Sequence, residues 1–292
     1  MMPSIQIVTD SGARFSNPRL VRHFPVTILP NIIEIGGRRY QEGIDLDTET
    51  AFELMSREGR PPTVIPPSEN DYAELYARLS HFCDAVISVH PSRELSESWR
   101  NGRLAAQQVS SDCEIAVVDS QSLCAGQGML IRVAARAAQE LDTTEEVIQA
   151  VRQAVNRIYS VYCVGDVGFL SAKGIMKPSH AILSAHLDIM PFVSLEDGQI
   201  IVIEKIRNRG DVIERLVEFL VEFTELEDAV VLQDQKQISE ETRIMQDRLA
   251  LEFPGQHFPF TMYSATMASF LGAKATGVAV LEKESDDLDD DF

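Results

Sequence analysis

Short apolar runs that end abruptly in polar turn residues recur through the first half of the chain. Ile5-Gln6-Ile7-Val8-Thr9 stops at Asp10-Ser11-Gly12, Ala85 to Val89 gives way to a polar loop from His90 to Leu95, and Ile115 to Val118 stops at Asp119-Ser120. Runs of four or five largely β-branched residues bounded by turn formers predict buried strands. Between them lie segments of helical spacing: Thr48 to Arg57 with Phe52, Leu54 and Met55; Tyr72, Leu75, Tyr76 and Leu79 behind a capping Ser68; and a helix through Trp99 and Leu104 to Val109. Val26 to Pro30 and Ile32 to Tyr40 read as strands, the second broken by the Gly36-Gly37 turn. Four prolines at 61, 62, 66 and 67 argue against regular structure around Thr63. After Gly126-Gln127-Gly128 an Ala-rich helix is expected from Met129 to Leu141. The repeated order of strand, loop and helix predicts an α/β fold with a doubly wound parallel sheet.

The texture changes near residue 157. Thr143 and Glu146 form a capping box for a helix with the stripe Val147, Val151, Ala154 and Ile158. Phe192 to Leu195 and Ile200 to Ile203 flank Asp197-Gly198, the pattern of a hairpin. An amphipathic stretch (Val212, Leu216, Phe219, Leu220, Phe223), a strand at Ala229 to Leu232, a helix through Ile244 and Leu249 and a strand at Val278 to Leu281 follow. The expected organisation is an α/β domain at 1–157, an α+β domain with a mixed sheet at 158–282, and an acidic, disordered tail at 283–292 that carries six acids against one lysine.

Composition narrows the function classes. A formal net charge of −19 argues against sequence-independent nucleic-acid binding and against an anionic membrane surface. No run of eighteen apolar residues and no signal-like amino terminus occurs, which predicts a cytoplasmic protein without stable membrane insertion. Cys83, Cys113, Cys124 and Cys163 lack CxxC spacing and read as reduced core or loop thiols. No GxxxxGK[ST], HExxH or GxSxG is present, and Gly126-Gln127-Gly128 lacks the third glycine of a dinucleotide fingerprint. His90, His180 and His186 are not at metal spacing. No catalytic residue, cofactor or metal is expected.

Five segments in order carry a family resemblance: Val8-Thr9-Asp10-Ser11, Arg39-Tyr40-Gln41-Glu42-Gly43-Ile44-Asp45, Thr63 with Pro66, Leu95-Ser96, and Val118-Asp119-Ser120-Gln121-Ser122 with Gly126-Gln127-Gly128. With them the chain resembles the DegV family, bacterial two-domain proteins that include the fatty-acid-binding subunits of fatty acid kinase. The resemblance implies a non-catalytic lipid-binding protein. It would hold a long-chain fatty acid between its domains, hydroxyls of the first domain would bind the carboxylate, and a partner kinase would act on it. By matching position the ligand-binding residues would be Thr63, Ser92 and Arg93, with Ser96 after the Ser92 loop and Asp10 and Ser11 on the loop that ends the first strand. Asp10-Ser11 and Asp119-Ser120 also suit plain strand-ending turns, and His90 an ordinary loop residue.

Several positions depart from the family pattern. Ile175 stands for its arginine in Gly-Gly-Arg-Ile, Met190-Pro191 for its Lys-Pro, and Phe270 for the histidine of His-x-Gly-Pro-Gly. Arg93, Lys173 and Lys177 are the candidates to replace the lost cation. These departures predict an acyl ligand that a standard fatty acid kinase phosphorylates poorly. Two alternatives stay open at this point: a divergent acyl-ligand carrier or sensor uncoupled from a kinase, and a small-molecule enzyme that uses the interdomain cleft.

Overall fold

The structure is a computed structural model that describes residues 4–16, 23–208 and 210–284. The acidic tail beyond residue 284 lies outside the described residues. In the amino-terminal part, strands β1 (Ile5–Asp10), β2 (Val26–Leu29), β6 (Ala85–His90) and β7 (Glu114–Asp119) form a parallel sheet in the order β2-β1-β6-β7. Alternation along β1 sends Val8 to one face and Ile7 to the other. Val8 and Val86 pack with Tyr72, Leu75, Tyr76 and Ala105 of helices α2 (Glu69–Leu79) and α3 (Ser98–Gln108). Ile7, Ile87 and Val89 pack into a cluster with Leu130, Ala134, Val147 and Val151 of α4 (Ala125–Glu140) and α5 (Thr144–Val155). Helices therefore cover both faces, as a doubly wound sheet requires.

A small antiparallel sheet sits beside this layer, made of β3 (Ile32–Ile35), β4 (Arg38–Gln41) and β5 (Thr63–Ile65) in the order β4-β3-β5. Helix α1 (Thr48–Glu58) joins β4 to β5, capped by Asp47 and ended by Gly59 at φ 61°. Strand β5 corrects the expectation of an irregular proline loop. Pro61, Pro62, Pro66 and Pro67 flank it, so Thr63, Val64 and Ile65 keep their N–H groups and pair with one side of β3.

The carboxyl-terminal part is a six-stranded mixed sheet, β10-β9-β8-β13-β11-β12. Its strands are β8 (Ile158–Val164), β9 (Met190–Glu196), β10 (Gln199–Ile206), β11 (Leu226–Gln233), β12 (Phe260–Met262) and β13 (Ala275–Glu282). On β8, Val161 and Cys163 face helices α8 (Gly210–Val221) and α9 (Glu240–Glu252), while Tyr162 and Val164 face the cluster that contains α4. Helix α4 is thus packed between the two sheets. Short helices α6 (Val167–Ala172), α7 (Pro178–His186) and α10 (Ala265–Leu271) complete this part.

Three boundaries differ from the sequence expectation. Helix α4 starts at Ala125, so Gly126 and Gly128 lie in its first turn. A Cβ there would run into Ser122 Oγ and the Arg14 carbonyl, which is why both positions need glycine. Ile158 belongs to β8, because α5 ends at Val155. His90 is the fully buried end of β6 and not a loop residue.

Candidate ligand-binding site

Where β1 ends, the polar side chains turn inward. Asp10 is fully buried; its carboxylate accepts from Ser98 Oγ at 2.8 Å, Gly12 N at 2.9 Å and Asn31 Nδ2 at 3.5 Å. Burial pushes its pKa up to about 6 against those hydrogen bonds. Ser11 Oγ donates to Glu42 Oε2 at 2.8 Å and accepts from Asn31 N at 2.9 Å. Glu42, 2% exposed, also accepts from Thr266 N at 3.0 Å and Thr266 Oγ1 at 2.7 Å. A first-part carboxylate thereby meets the amino-terminal turn of α10 in the other part. This junction is a clamp between the two halves.

A polar string runs on from Asp10 under α3. Ser98 Oγ also contacts His90 Nδ1 at 3.0 Å and Tyr72 OH at 2.7 Å, and His90 Nε2 contacts Ser88 Oγ at 2.8 Å. Burial lowers the His90 pKa to about 3, so the imidazole is neutral. The residue types are those of a hydrolase triad, but the serine stands between the histidine and the aspartate. All three are wholly buried. Cys124 is likewise no open nucleophile: it is buried, its thiol pKa is raised by burial, and its Sγ accepts from Ser264 N at 3.4 Å.

Beside the junction a cleft of about 350 Å³ opens between the halves. Its first wall is Val64 and Pro66, the loop from Arg93 to Glu97, and Leu123; its second is Lys173 at the end of α6, with Thr266, Ser269 and Phe270 of α10. Of the residues expected from sequence, Ser96 and Arg93 line it. Arg93 Nε lies 3.6 Å from both Glu94 and Asp119, and its guanidinium is 5.9 Å from the Trp99 ring. Ser92 is buried, and its Oγ donates to the Gly198 carbonyl at 2.7 Å, which clasps the loop to the β9–β10 turn. Thr63 is exposed and lines a separate hollow with Glu34 and Arg60. The loops of Thr63 and Ser92 do converge, but strand alternation presents Val64 to the cleft and not Thr63.

Ser11 lines a second cavity, of about 380 Å³, with Arg14, Ile28 and Ile44. The polar groups there are committed within the protein. Arg14 Nη1 donates to the Ser11 and Ala13 carbonyls and Nη2 to Thr48 Oγ1 at 3.0 Å. Asp10 lines neither space. Thr266 and Ser269 escape a reading of the sequence, although Ser264 is a recognisable helix cap: its side chain accepts from Met267 N. Of the candidate cations, Lys173 lines the cleft and Lys177 does not. Partial burial lowers the Lys173 pKa, and its Nζ lies 5.0 Å from the Phe270 ring. Ile175, in the place of the family arginine, packs against the core.

The chain is similar to known proteins along nearly its whole length. A family model described as an uncharacterised protein of the DegV family matches residues 4–283. A DegV domain-containing protein of Caldanaerobacter subterraneus subsp. tengcongensis is 27% identical over 286 residues, 97% of this chain and all of its own. The crystal structure of DegV from Bacillus subtilis, a fatty acid binding protein, superposes with a TM-score of 0.82 at 25% identity, over 96% of this chain and all of that one. A fatty acid binding DegV family protein of Streptococcus agalactiae gives 0.85 at 22% identity, over 96% and 99% of the two chains.

Proposed function

The chain belongs to the DegV family, and from that premise we propose that it binds a long-chain fatty acid in the cleft between its halves and presents the carboxylate to a partner kinase. The observation that carries this reading is the cleft's composition: Val64, Pro66, Leu95, Leu123 and Phe270 are apolar, while Ser96, the cations Arg93 and Lys173 and the acids Glu94 and Glu97 lie among them, Glu94 paired with Arg93. About 350 Å³ falls within the range of small-molecule sites. Each buried methylene contributes roughly 0.8 kcal/mol, and a neutral hydroxyl donor about 1 kcal/mol, so the acyl chain supplies most of the affinity and the head-group contacts set orientation. Fatty acid binding by the Bacillus subtilis protein supports the ligand class.

Ser96 is the first-part head-group donor in this reading. Its Oγ accepts from Ser98 N at 3.2 Å, which leaves its own proton for a ligand. The test of the function is organic extraction of the purified protein followed by mass spectrometry, with a thermal shift on adding oleic acid to delipidated protein. A co-purified long-chain acid and a raised melting temperature are expected; repeated preparations without either would refute the reading. Acyl phosphate formation with a fatty acid kinase subunit tests the presentation step separately. Slow turnover is expected from Ile175 and Phe270 at the altered positions, and faster turnover from Ile175→Arg with Phe270→His.

A further inference from the structure

Most hydroxyl protons of the cleft and the junction are committed within the protein. Ser11 donates to Glu42, Ser92 to the Gly198 carbonyl, Ser269 to the Thr266 carbonyl and Thr266 to Glu42. The loop that would bring a threonine offers Val64 instead. Ser96 alone is a thin reception for a carboxylate that leaves water, because a buried carboxylate needs a counter-charge or several donors.

The two lining cations are not equivalent. Arg93 already faces two carboxylates, Glu94 and Asp119, each at 3.6 Å. Lys173 has no carboxylate within ion-pair distance among the described residues; its ammonium rests over the Phe270 ring, 5.0 Å from the centroid. An aromatic face is a weak partner for an ammonium beside a carboxylate in the same partly dry space. Phe270 therefore holds the cation in the cleft without competing strongly for it.

We infer that Lys173 is the counter-ion of the ligand's carboxylate and leaves the Phe270 ring to meet it opposite Ser96, so that one head group is gripped from both halves of the chain. The inference rests on the fatty-acid reading and deepens it. Partial burial already disfavours the Lys173 charge, and an incoming carboxylate restores what water no longer supplies. The cation enters from the turn after α6, two residues before the position where the family carries its arginine, Ile175 here.

The experiment compares oleic acid with oleyl alcohol, of the same chain but neutral, titrated into delipidated wild type, Lys173→Gln and Lys173→Arg. Wild type should prefer the acid by about tenfold or more. Lys173→Gln should lose that preference through weaker acid binding while alcohol binding stays within about twofold, and Lys173→Arg should keep most of it. An undiminished acid preference in Lys173→Gln overturns the inference and leaves the fatty-acid reading standing. Equal weakening of both ligands also overturns it, since Lys173 would then only shape the cleft. Wild type that binds neither ligand overturns the fatty-acid reading itself.

Discussion

The clamp beneath β1 and the cleft beside it meet at Thr266, and both join the two halves of the chain. In the clamp every carboxylate oxygen of Asp10 and Glu42 has at least one donor from the protein. In the cleft, Ser96 keeps an uncommitted proton and Lys173 faces a ring instead of a carboxylate. The polar groups of the clamp serve the fold, whereas Ser96 and Lys173 of the cleft are available to something else. Hydroxyls four residues apart, Ser92 and Ser96, fall on opposite sides of this division.

Removal of the clamp should have the largest effect. Glu42→Leu leaves Thr266 N, Thr266 Oγ1 and Ser11 Oγ facing an apolar group at a buried site. It should cost about 4 kcal/mol of stability in urea unfolding, given about 1 to 3 kcal/mol for each unmet buried donor and partial relaxation. A loss below about 1 kcal/mol would mean that the junction holds the halves by apolar packing alone.

The polar string beneath α3 offers a second test, through pH. His90 titrates at about 3 in the folded protein, below the usual histidine value near 6.5, so the folded state takes up its proton later than the unfolded chain and stability falls as pH drops below about 6.5. Asp10 has the opposite sign. Its folded value of about 6 lies above the usual 3.8, so the folded state is protonated first and stability rises as pH falls from about 6. Both are fully buried, and each tenfold difference in proton affinity between the folded and unfolded states is worth about 1.4 kcal/mol. Between pH 7 and 5, Asp10→Asn should lose roughly 2 kcal/mol, His90→Asn should gain roughly 1 kcal/mol, and the wild type should change little from these two groups. Denaturant midpoints at the two pH values measure this; parallel curves for the two variants would remove the titrations from the account.

How much of this is legible in the sequence follows from the range of the interactions involved. The main strands announce themselves through apolar runs with polar ends, and Ser68 and Thr143 mark their helices because a capping box is local. Helix α10 has a cap in Ser264 but no capping box. Its seven residues are mostly buried on all sides and carry no amphipathic period. The Glu42–Thr266 contact joins residues 224 positions apart, which no local pattern encodes. His90 reads as a loop residue because its partners Ser98 and Tyr76 are brought to it only by packing α2 and α3 onto the sheet. Thr63 follows from matching a loop position, yet in a strand one residue decides which way a side chain points, and its neighbour Val64 takes the inward place.

That one-residue difference supplies the mildest and most discriminating prediction. Ser96→Ala removes the one hydroxyl proton that the cleft of the first part leaves free, without touching the Glu42 clamp or the Ser92 clasp. It should weaken fatty acid binding by about 1 kcal/mol, roughly fivefold, while the lost bond from Ser98 N costs about 1 kcal/mol of stability. Thr63→Val, at an exposed position that lines another hollow, should leave affinity unchanged. The same titration of oleic acid into delipidated protein reads both variants. Weaker binding in Thr63→Val with none in Ser96→Ala would reverse the assignment and return the head group to the outer side of β5, whereas the expected order ties it to the wall that carries Ser96.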